Sequence, residues 1–130
     1  MKLYYLIPLL LLTGCQTVDV TFEEGINPEI YFHRAQTAVD GKNYEIALVI
    51  YQKFLDTNPT DLAFRVSAEY EIGFLNYKLG KNAVALEWLK KVSDRYEDPS
   101  QISFLPPWPK NLAQKLVNKI QPEVSPAPQL

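Results

Sequence analysis

Apolar residues recur every three or four positions between residues 27 and 121, which is the spacing of one face of an α-helix. No stretch shows the sustained apolar–polar alternation of a half-buried strand. Turn-forming residues divide this part of the chain into five segments. We therefore predict an all-α protein with helices over residues 28–40, 44 to about 56, 62–79 and 83–96, and a fifth helix beginning at Pro109.

Helix-start and helix-stop signals agree with these bounds. Asn27 followed by Pro28 is typical of an N-cap and a first helical position. Asn43 can cap the second helix, and Pro59 cannot continue it. The predicted apolar stripes are Ala47, Ile50, Tyr51 and Phe54 in the second helix, Ala68, Ile72, Leu75 and Leu79 in the third, and Leu112, Ala113, Leu116, Val117 and Ile120 in the fifth.

The first residues have the layout of an export signal. Lys2 precedes ten apolar residues, Leu3 to Leu12, about half of the ~20 that a spanning helix needs. Small residues follow, and then Cys15, the single cysteine of the chain. The string Leu-Thr-Gly-Cys resembles the bacterial lipobox. The resemblance implies cleavage before Cys15, a thioether-linked diacylglycerol on its sulfur, and an acyl chain such as palmitate on the new amino terminus. An ordinary signal peptide with an incidental cysteine is the alternative.

These features divide the chain into four parts: a lipoprotein signal peptide (1–14), a lipid-anchored tether (15–26), a helical domain (27–121) and a proline-rich, disordered tail (122–130). The mature chain would carry 12 basic and 15 acidic side chains, so its mild acidity argues against a nucleic-acid partner. Two or three lipid chains hold a protein on a membrane without a spanning helix. The membrane is therefore an expected partner, reached through the covalent lipid on Cys15.

Two segments of the helical domain are copies of one another. Gly41 to Pro59 and Gly80 to Pro99 share a Gly-Lys-Asn turn, a small residue in the next helix, a bulky residue four positions later and a closing proline. The pattern resembles the tetratricopeptide repeat. The matching positions are Ala35, Tyr44, Ala47, Tyr51, Phe54 and Pro59 in the first copy, and Gly73, Gly80, Ala85, Leu89 and Val92 in the second.

The repeat departs from the usual pattern in its length. The spacing from Ala47 to Ala85, which we call the repeat offset, exceeds the usual repeat of about 34 residues, so the second copy needs a longer first helix. Arg34 stands where a leucine is usual. A long helix in that place, with tyrosines and a Tyr-Lys-Leu-Gly-Lys turn, is similar to the repeats of BamD, lipoprotein D of the outer-membrane β-barrel assembly machinery. The similarity covers residues 28–99. Members of that family carry about five repeats, so this chain would be a truncated form.

Two repeats leave a solenoid core short of partners, because each unit buries its apolar face only against its neighbours. We expect the fifth helix to cap the open end, with Phe104, Leu105 and Trp108 laid over the second hairpin. The fold class is therefore a tetratricopeptide-like α-solenoid of two helical hairpins and a C-terminal capping helix. We also expect the isolated domain to be marginally stable and a partner to stabilise it.

The sequence offers few residues for catalysis or metal binding. The chain holds one histidine, no second thiol and no glycine-rich phosphate loop. His33 alone cannot build a typical zinc site, and Glu23 and Glu24 are adjacent in the tether, where nothing holds a reacting group. We expect neither an enzyme nor a metal site, and no cofactor apart from the lipid.

The resemblance implies a binding groove lined by the first helix of each repeat. The groove residues are then Phe32, His33, Gln36 and Asp40 from the first repeat, and Tyr70, Phe74, Tyr77 and Lys78 from the second. Aromatic rings among polar groups suit an extended peptide or a partner helix. The alternative is that several of the rings pack between the repeats. Trp108 is either a cap over the core or an exposed docking residue.

Together these observations predict a non-catalytic interaction scaffold on the outer membrane, facing the periplasm. Gln16 after the lipidated cysteine is compatible with that membrane under the enterobacterial sorting scheme. The resemblance makes the protein an accessory of β-barrel assembly, with the barrel insertase or its unfolded clients as partners. The alternatives are a scaffold for cell-wall enzymes or another envelope complex, and a ligand-binding lipoprotein associated with a transporter.

Overall fold

The computed structural model describes residues 20–21, 25–57 and 59–124, and this part of the chain is all-helical, without a strand. The lipidation candidate Cys15 and most of the predicted tail lie outside the described residues. The elements are α1 (Pro28–Asp40), α2 (Tyr44–Asp56), α3 (Leu62–Lys78), α4 (Asn82–Arg95), a 3-10 turn (Ile102–Phe104) and α5 (Pro107–Val124). The predicted all-α class is confirmed.

Side-chain caps begin two of the helices. The Asn27 Oδ1 accepts a hydrogen bond from the Glu29 amide at 3.1 Å, as predicted for α1. Asp61 caps α3 by accepting from the amides of Ala63 and Phe64. Asn43 occupies the N-cap position of α2, but its side chain makes no capping hydrogen bond. The predicted position was therefore right and the predicted bond was wrong.

The turn between α1 and α2 and the turn between α3 and α4 contain the same three backbone hydrogen bonds, displaced along the chain by the repeat offset. In each turn one residue has a positive φ: Lys42 at 59° and Gly80 at 75°. The bonds, donor first, are Gly41–Thr37, Lys42–Val39 and Asn43–Ala38 in the first turn, and Leu79–Leu75, Gly80–Tyr77 and Lys81–Asn76 in the second.

Two apolar clusters form the core. The first lies among α1, α2 and α3, and the second among α3, α4, the 97–106 connection and α5. The first consists of Tyr31, Ala35, Ala38, Ala47, Ile50, Tyr51, Phe54, Ala68, Ile72 and Leu75. The second consists of Val66, Tyr70, Ala85, Leu89, Val92, Tyr96, Leu105, Ala113, Leu116 and Ile120. α3 therefore contributes to both clusters and joins the two halves of the protein.

Small residues let the paired helices approach closely. Ala35 and Ala47 are fully buried between α1 and α2, and Ala85 is fully buried in α4. A Cβ atom on Gly73 would lie 3.0 Å from the Leu89 Cδ2 and 3.1 Å from its Cγ, so α3 and α4 are closer than an alanine would allow. The small residues singled out by the repeat pattern are thus the ones at the helix contacts.

Each helix packs against the next along the chain, and α3 also contacts α5. The connection after α4 is fixed by Tyr96, whose hydroxyl donates to the Pro106 carbonyl at 2.5 Å. Leu105 is buried there, whereas Phe104 is 68% exposed, so only part of the predicted cap covers the second hairpin. α5 begins at Pro107 rather than Pro109 and extends through Pro122 to Val124, beyond the bound given to the helical domain.

The chain before α1 packs against the first hairpin. Val20 and Ile26 contact the first apolar cluster, and the Lys53 ammonium on α2 donates to the Val20 carbonyl. Within the described ranges, no helix is long and apolar enough to cross a membrane.

Candidate functional site

The outward face of α3 carries three aromatic rings. Tyr70, Phe74 and Tyr77 lie three or four residues apart, so they share one face of the helix, opposite Ile72 in the first cluster. Tyr70 is 8% exposed, while Phe74 and Tyr77 are half-buried. The Tyr70 and Phe74 rings are nearly parallel, with centroids 6.4 Å apart. These rings therefore pack against each other and still present an apolar surface to solvent.

α5 completes this surface. The Trp108 ring meets Tyr70 edge to face at 5.4 Å and remains 39% exposed. About three helical turns further along α5, the Lys119 ammonium lies over the Tyr77 ring at 5.3 Å. Trp108 is thus part of the surface formed by α3. We call this set the α3–α5 surface: Tyr70, Phe74, Tyr77, Trp108 and Lys119.

Lys78 borders the α3–α5 surface on its other side. Its ammonium lies 5.7 Å from the centroid of the Phe74 ring and 5.7 Å from that of Tyr44, the first residue of α2. Contacts of this kind contribute about 0.5–1 kcal/mol at exposed sites. The lysine therefore places this side of α3 next to α2, and the Trp108 contact places the other side next to α5.

The predicted groove residues on α1 behave differently. Phe32 packs edge to face against Tyr51 at 5.1 Å and Phe64 at 5.2 Å, so its ring belongs to an internal aromatic cluster that links α1 to α3. His33 is exposed and accepts, through its carbonyl, a hydrogen bond from the Thr37 hydroxyl. Gln36 and Asp40 are exposed and bond to each other at 3.0 Å. α1 therefore offers a solvated polar edge rather than an aromatic one.

Glu71 is a residue of this region that the sequence analysis missed. Its side chain is half-buried on α3, and burial raises its pKa from an ordinary 4.5 to about 7. Its charge in turn contributes to raising the pKa of Tyr51 and of Tyr70, the latter to about 12, although burial is the larger cause for both. The repeat could have revealed it, because Glu71 follows His33 by the repeat offset and His33 was assigned to the groove.

A second buried carboxylate lies one position away from Tyr70. Glu69 is 1% exposed and is paired with Arg95 of α4, whose Nη2 donates to its Oε1 at 2.5 Å, and with Lys91 at 3.3 Å. The hydrogen bond to Glu69 raises the Arg95 pKa. This carboxylate is fully partnered, so it serves to join α3 to α4.

Two clefts lie away from the α3–α5 surface. One, of about 450 Å³, is lined by Thr60, Asp61, Leu62, Ala63 and Phe104. The other, of about 260 Å³, is lined by Gln52, Leu55, Asp56 and Trp88. Both are open to solvent. The described residues contain no cluster of three or more histidine, cysteine, aspartate or glutamate side chains that could hold a metal ion.

No family model, curated protein or solved structure matches the chain.

Proposed function

We propose that this protein is a non-catalytic, membrane-anchored interaction scaffold built as a tetratricopeptide-like α-solenoid. Three features support the solenoid: the recurrence of one turn at the repeat offset, the packing of each helix on the next, and the small residues at the helix contacts. α5 would close the open end of the second hairpin, because Ala113, Leu116 and Ile120 pack into the second cluster.

The observation that carries the binding role is the α3–α5 surface. Surface-exposed aromatic rings rimmed by charged groups are typical of sites that bind proteins, since rings bury large areas at low entropic cost. Phe74, Tyr77 and Trp108 keep part of their area exposed while their ring geometry is fixed by neighbours. A partner segment would therefore meet a pre-organised apolar surface.

The specific role we propose is that of an accessory lipoprotein of outer-membrane β-barrel assembly, lipidated at Cys15 and facing the periplasm. The similarity to BamD repeats over residues 28–99 supports it. A short anchor agrees with the position of Val20, which lies five positions after Cys15 and packs on the first hairpin. Five extended residues span at most about 18 Å, so the lipid would hold the first hairpin next to the bilayer.

A carrier role for a transporter is disfavoured by the shape of the two clefts. Small-molecule sites usually bury roughly 70–90% or more of a ligand's surface. The clefts beside Phe104 and Trp88 are open to solvent, and Phe74, Tyr77 and Trp108 of the α3–α5 surface are partly exposed. A protein partner therefore fits the described surfaces better than a small molecule does.

Crosslinking in intact cells tests the role. The full-length lipoprotein is purified after crosslinking, and the proteins recovered with it are identified. We expect the barrel insertase to be recovered by the wild type and by a His33→Ala plus Gln36→Ala control, and lost with Phe74→Ala plus Tyr77→Ala. Recovery of cell-wall enzymes instead would contradict the assembly role and leave the scaffold role standing. Equal recovery by both double variants would contradict binding at the α3–α5 surface.

The anchor has its own test. A Cys15→Ser change, or treatment with globomycin, should block processing of the precursor, and Cys15→Ser should release the protein from the membrane fraction. Unchanged processing and membrane retention would contradict lipidation at Cys15.

A further inference from the structure

Glu71 lies on the α2 side of the outward face of α3. Residues in a helix advance by about 100° each, so Glu71 and Lys78, seven positions apart, follow one line along α3. The contact between the Lys78 ammonium and the Tyr44 ring places this line beside α2. Phe74 lies between this line and the rings that meet α5. The Glu71 carboxylate is therefore adjacent to the α3–α5 surface and shares its aromatic neighbours.

Aromatic side chains lie near Glu71, and the ammonium of Lys78 lies further along the same line, near the Phe74 and Tyr44 rings. Tyr51, which is buried behind α3 and in edge contact with Phe32, and Tyr70 both lie within its electrostatic range. In the described part of the chain, no hydrogen-bond donor or cation contacts its carboxylate. Glu69, two positions earlier, is by contrast paired with both Arg95 and Lys91.

A half-buried carboxylate without a counter-ion is unfavourable, and a cation brought by a ligand would relieve that cost. The Phe74 ring, three positions further along α3, is only half-buried and favours the same ligand, because the faces of aromatic rings attract cations. In the first hairpin the corresponding position holds His33, which is exposed. At this position, therefore, the second hairpin has an acidic group and the first does not.

We propose that Glu71 recognises a lysine or arginine side chain of an extended partner segment, whose apolar neighbours lie on Phe74, Tyr77 and Trp108. This inference rests on the proposed function, since it names the chemistry of the segment bound at the same surface. Charge complementarity selects the occupant: a positively charged side chain gains the carboxylate and the rings, whereas a neutral one gains only the rings.

Peptide binding to the full-length protein in detergent micelles tests the inference. The probe is a blocked pentapeptide, Ala-Phe-Lys-Phe-Ala, labelled with an uncharged dye and followed by fluorescence anisotropy. A second peptide carries norleucine in place of lysine and so lacks the ammonium group while keeping an aliphatic side chain. We expect the lysine peptide to bind about tenfold more tightly to the wild type, as a charge-assisted hydrogen bond in a half-buried site would give.

Three variants locate the effect. Glu71→Gln should reduce the preference for lysine to less than about twofold, while Glu71→Asp, which keeps the charge, should retain most of it. Glu45→Gln removes an exposed carboxylate from α2 and should leave the tenfold preference unchanged. Circular dichroism of each variant verifies that the helices are intact.

Equal affinity of the wild type for the two peptides would overturn the inference, and so would a preference for lysine that survives in Glu71→Gln. In both cases peptide binding itself would leave the proposed function standing. Failure of both peptides to bind would instead overturn the inference together with the role of the α3–α5 surface.

Discussion

The turn between α1 and α2 and the turn between α3 and α4 contain the same three residues, Gly-Lys-Asn, in different conformations. In the second turn Gly80 takes the positive φ, whereas in the first turn Gly41 has an ordinary φ of −78° and Lys42 takes the positive one. The hydrogen bonds of the two turns nevertheless match at the repeat offset, while the Gly-Lys-Asn strings lie one position further apart than that. The second Gly-Lys-Asn string therefore begins one residue later in its turn than the first string does in the equivalent turn.

The helix interiors, rather than the turn residues, set the register. Ala47 and Ala85, which define the repeat offset, are both fully buried, and Ala35 and Gly73 are buried at the same spacing. Moving either helix by one residue would turn these small side chains out of the contact and insert larger ones. The turn adapts instead, because a left-handed lysine costs only about 1–2 kcal/mol.

The outward positions of the two hairpins also differ. Gln36 and Phe74 correspond, as do His33 and Glu71, so the same backbone positions carry polar groups on α1 and aromatic and acidic groups on α3. The first hairpin directs its rings inward, into the cluster around Phe54, and receives the tether. In the second hairpin, Tyr70 belongs to the second apolar cluster, and Phe74 and Tyr77 pack against that cluster while staying partly exposed. On this basis we propose that the first hairpin serves attachment and the second serves binding.

The largest expected effect comes from the Glu69–Arg95 ion pair of the second hairpin, since Tyr31 occupies the position of Glu69 in the first. Arg95→Met should reduce the free energy of unfolding by about 2–3 kcal/mol, because it leaves a buried carboxylate with Lys91 alone. Urea unfolding measures this. Lys90→Met, which removes an exposed pair with Asp94, is the control and should change stability little.

The close approach of α3 and α4 at Gly73 gives the second-largest expected effect on stability. Gly73→Ala should destabilise the protein by about 1–2 kcal/mol, because the new Cβ meets the buried Leu89 side chain and this clash exceeds alanine's advantage in a helix. Ala35→Gly, at the corresponding position of α1, should cost about 1 kcal/mol for the opposite reason. A stabilised Gly73→Ala variant in thermal unfolding would show that Leu89 has room to move.

Glu71 should make stability depend on pH. Its folded-state pKa of about 7 lies above its unfolded value of 4.5, so its ionisation destabilises the fold above about pH 7, and the penalty disappears as pH falls toward 4.5. The difference corresponds to at most ~3 kcal/mol, and contact with water reduces it. Glu71→Gln should therefore stabilise the protein by about 1 kcal/mol at pH 8 and by little at pH 4.5. An equal effect at both pH values would contradict the burial of this carboxylate.

The turns give the smallest effects. Gly80→Lys should reduce stability by about 1 kcal/mol, because it places a side chain in the left-handed region, as Lys42 already does. Lys42→Gly should change stability by no more than about 0.5 kcal/mol, since relief of that strain is offset by the greater freedom of glycine in the unfolded chain. A larger loss of stability from Lys42→Gly than from Gly80→Lys would contradict the equivalence of Lys42 and Gly80 as the left-handed residues of the two turns.

The helices were largely predictable because caps, prolines and apolar spacing agree at each end. The bounds of α1 match, and those of α3 and α4 differ by one residue. The start of α5 was missed because Pro107 and Pro109 both fit the first turn of a helix, where no backbone donor is needed. The capping bond predicted for Asn43 was wrong because the side-chain position depends on the register of the turn.

The candidate site was predictable only in part. The resemblance to the tetratricopeptide repeat assigned Tyr70, Phe74 and Tyr77 to the groove, but the contact of Trp108 with Tyr70 depends on the path of the 97–106 connection, which has no periodic signal. The inward packing of Phe32 was also open, since spacing gives a face and not what covers it. Glu71 was not assigned to the groove, although the repeat offset relates it to His33, which was.

The most direct test of the division between the hairpins is photo-crosslinking from one residue of each in intact cells. A benzoylphenylalanine is placed at position 74 or, as the matched control, at position 36, which is the corresponding position of α1 and is exposed. Binding by the second hairpin predicts a strong crosslinked product with a partner protein from position 74 and little from position 36. A product of equal or greater yield from position 36 would contradict it.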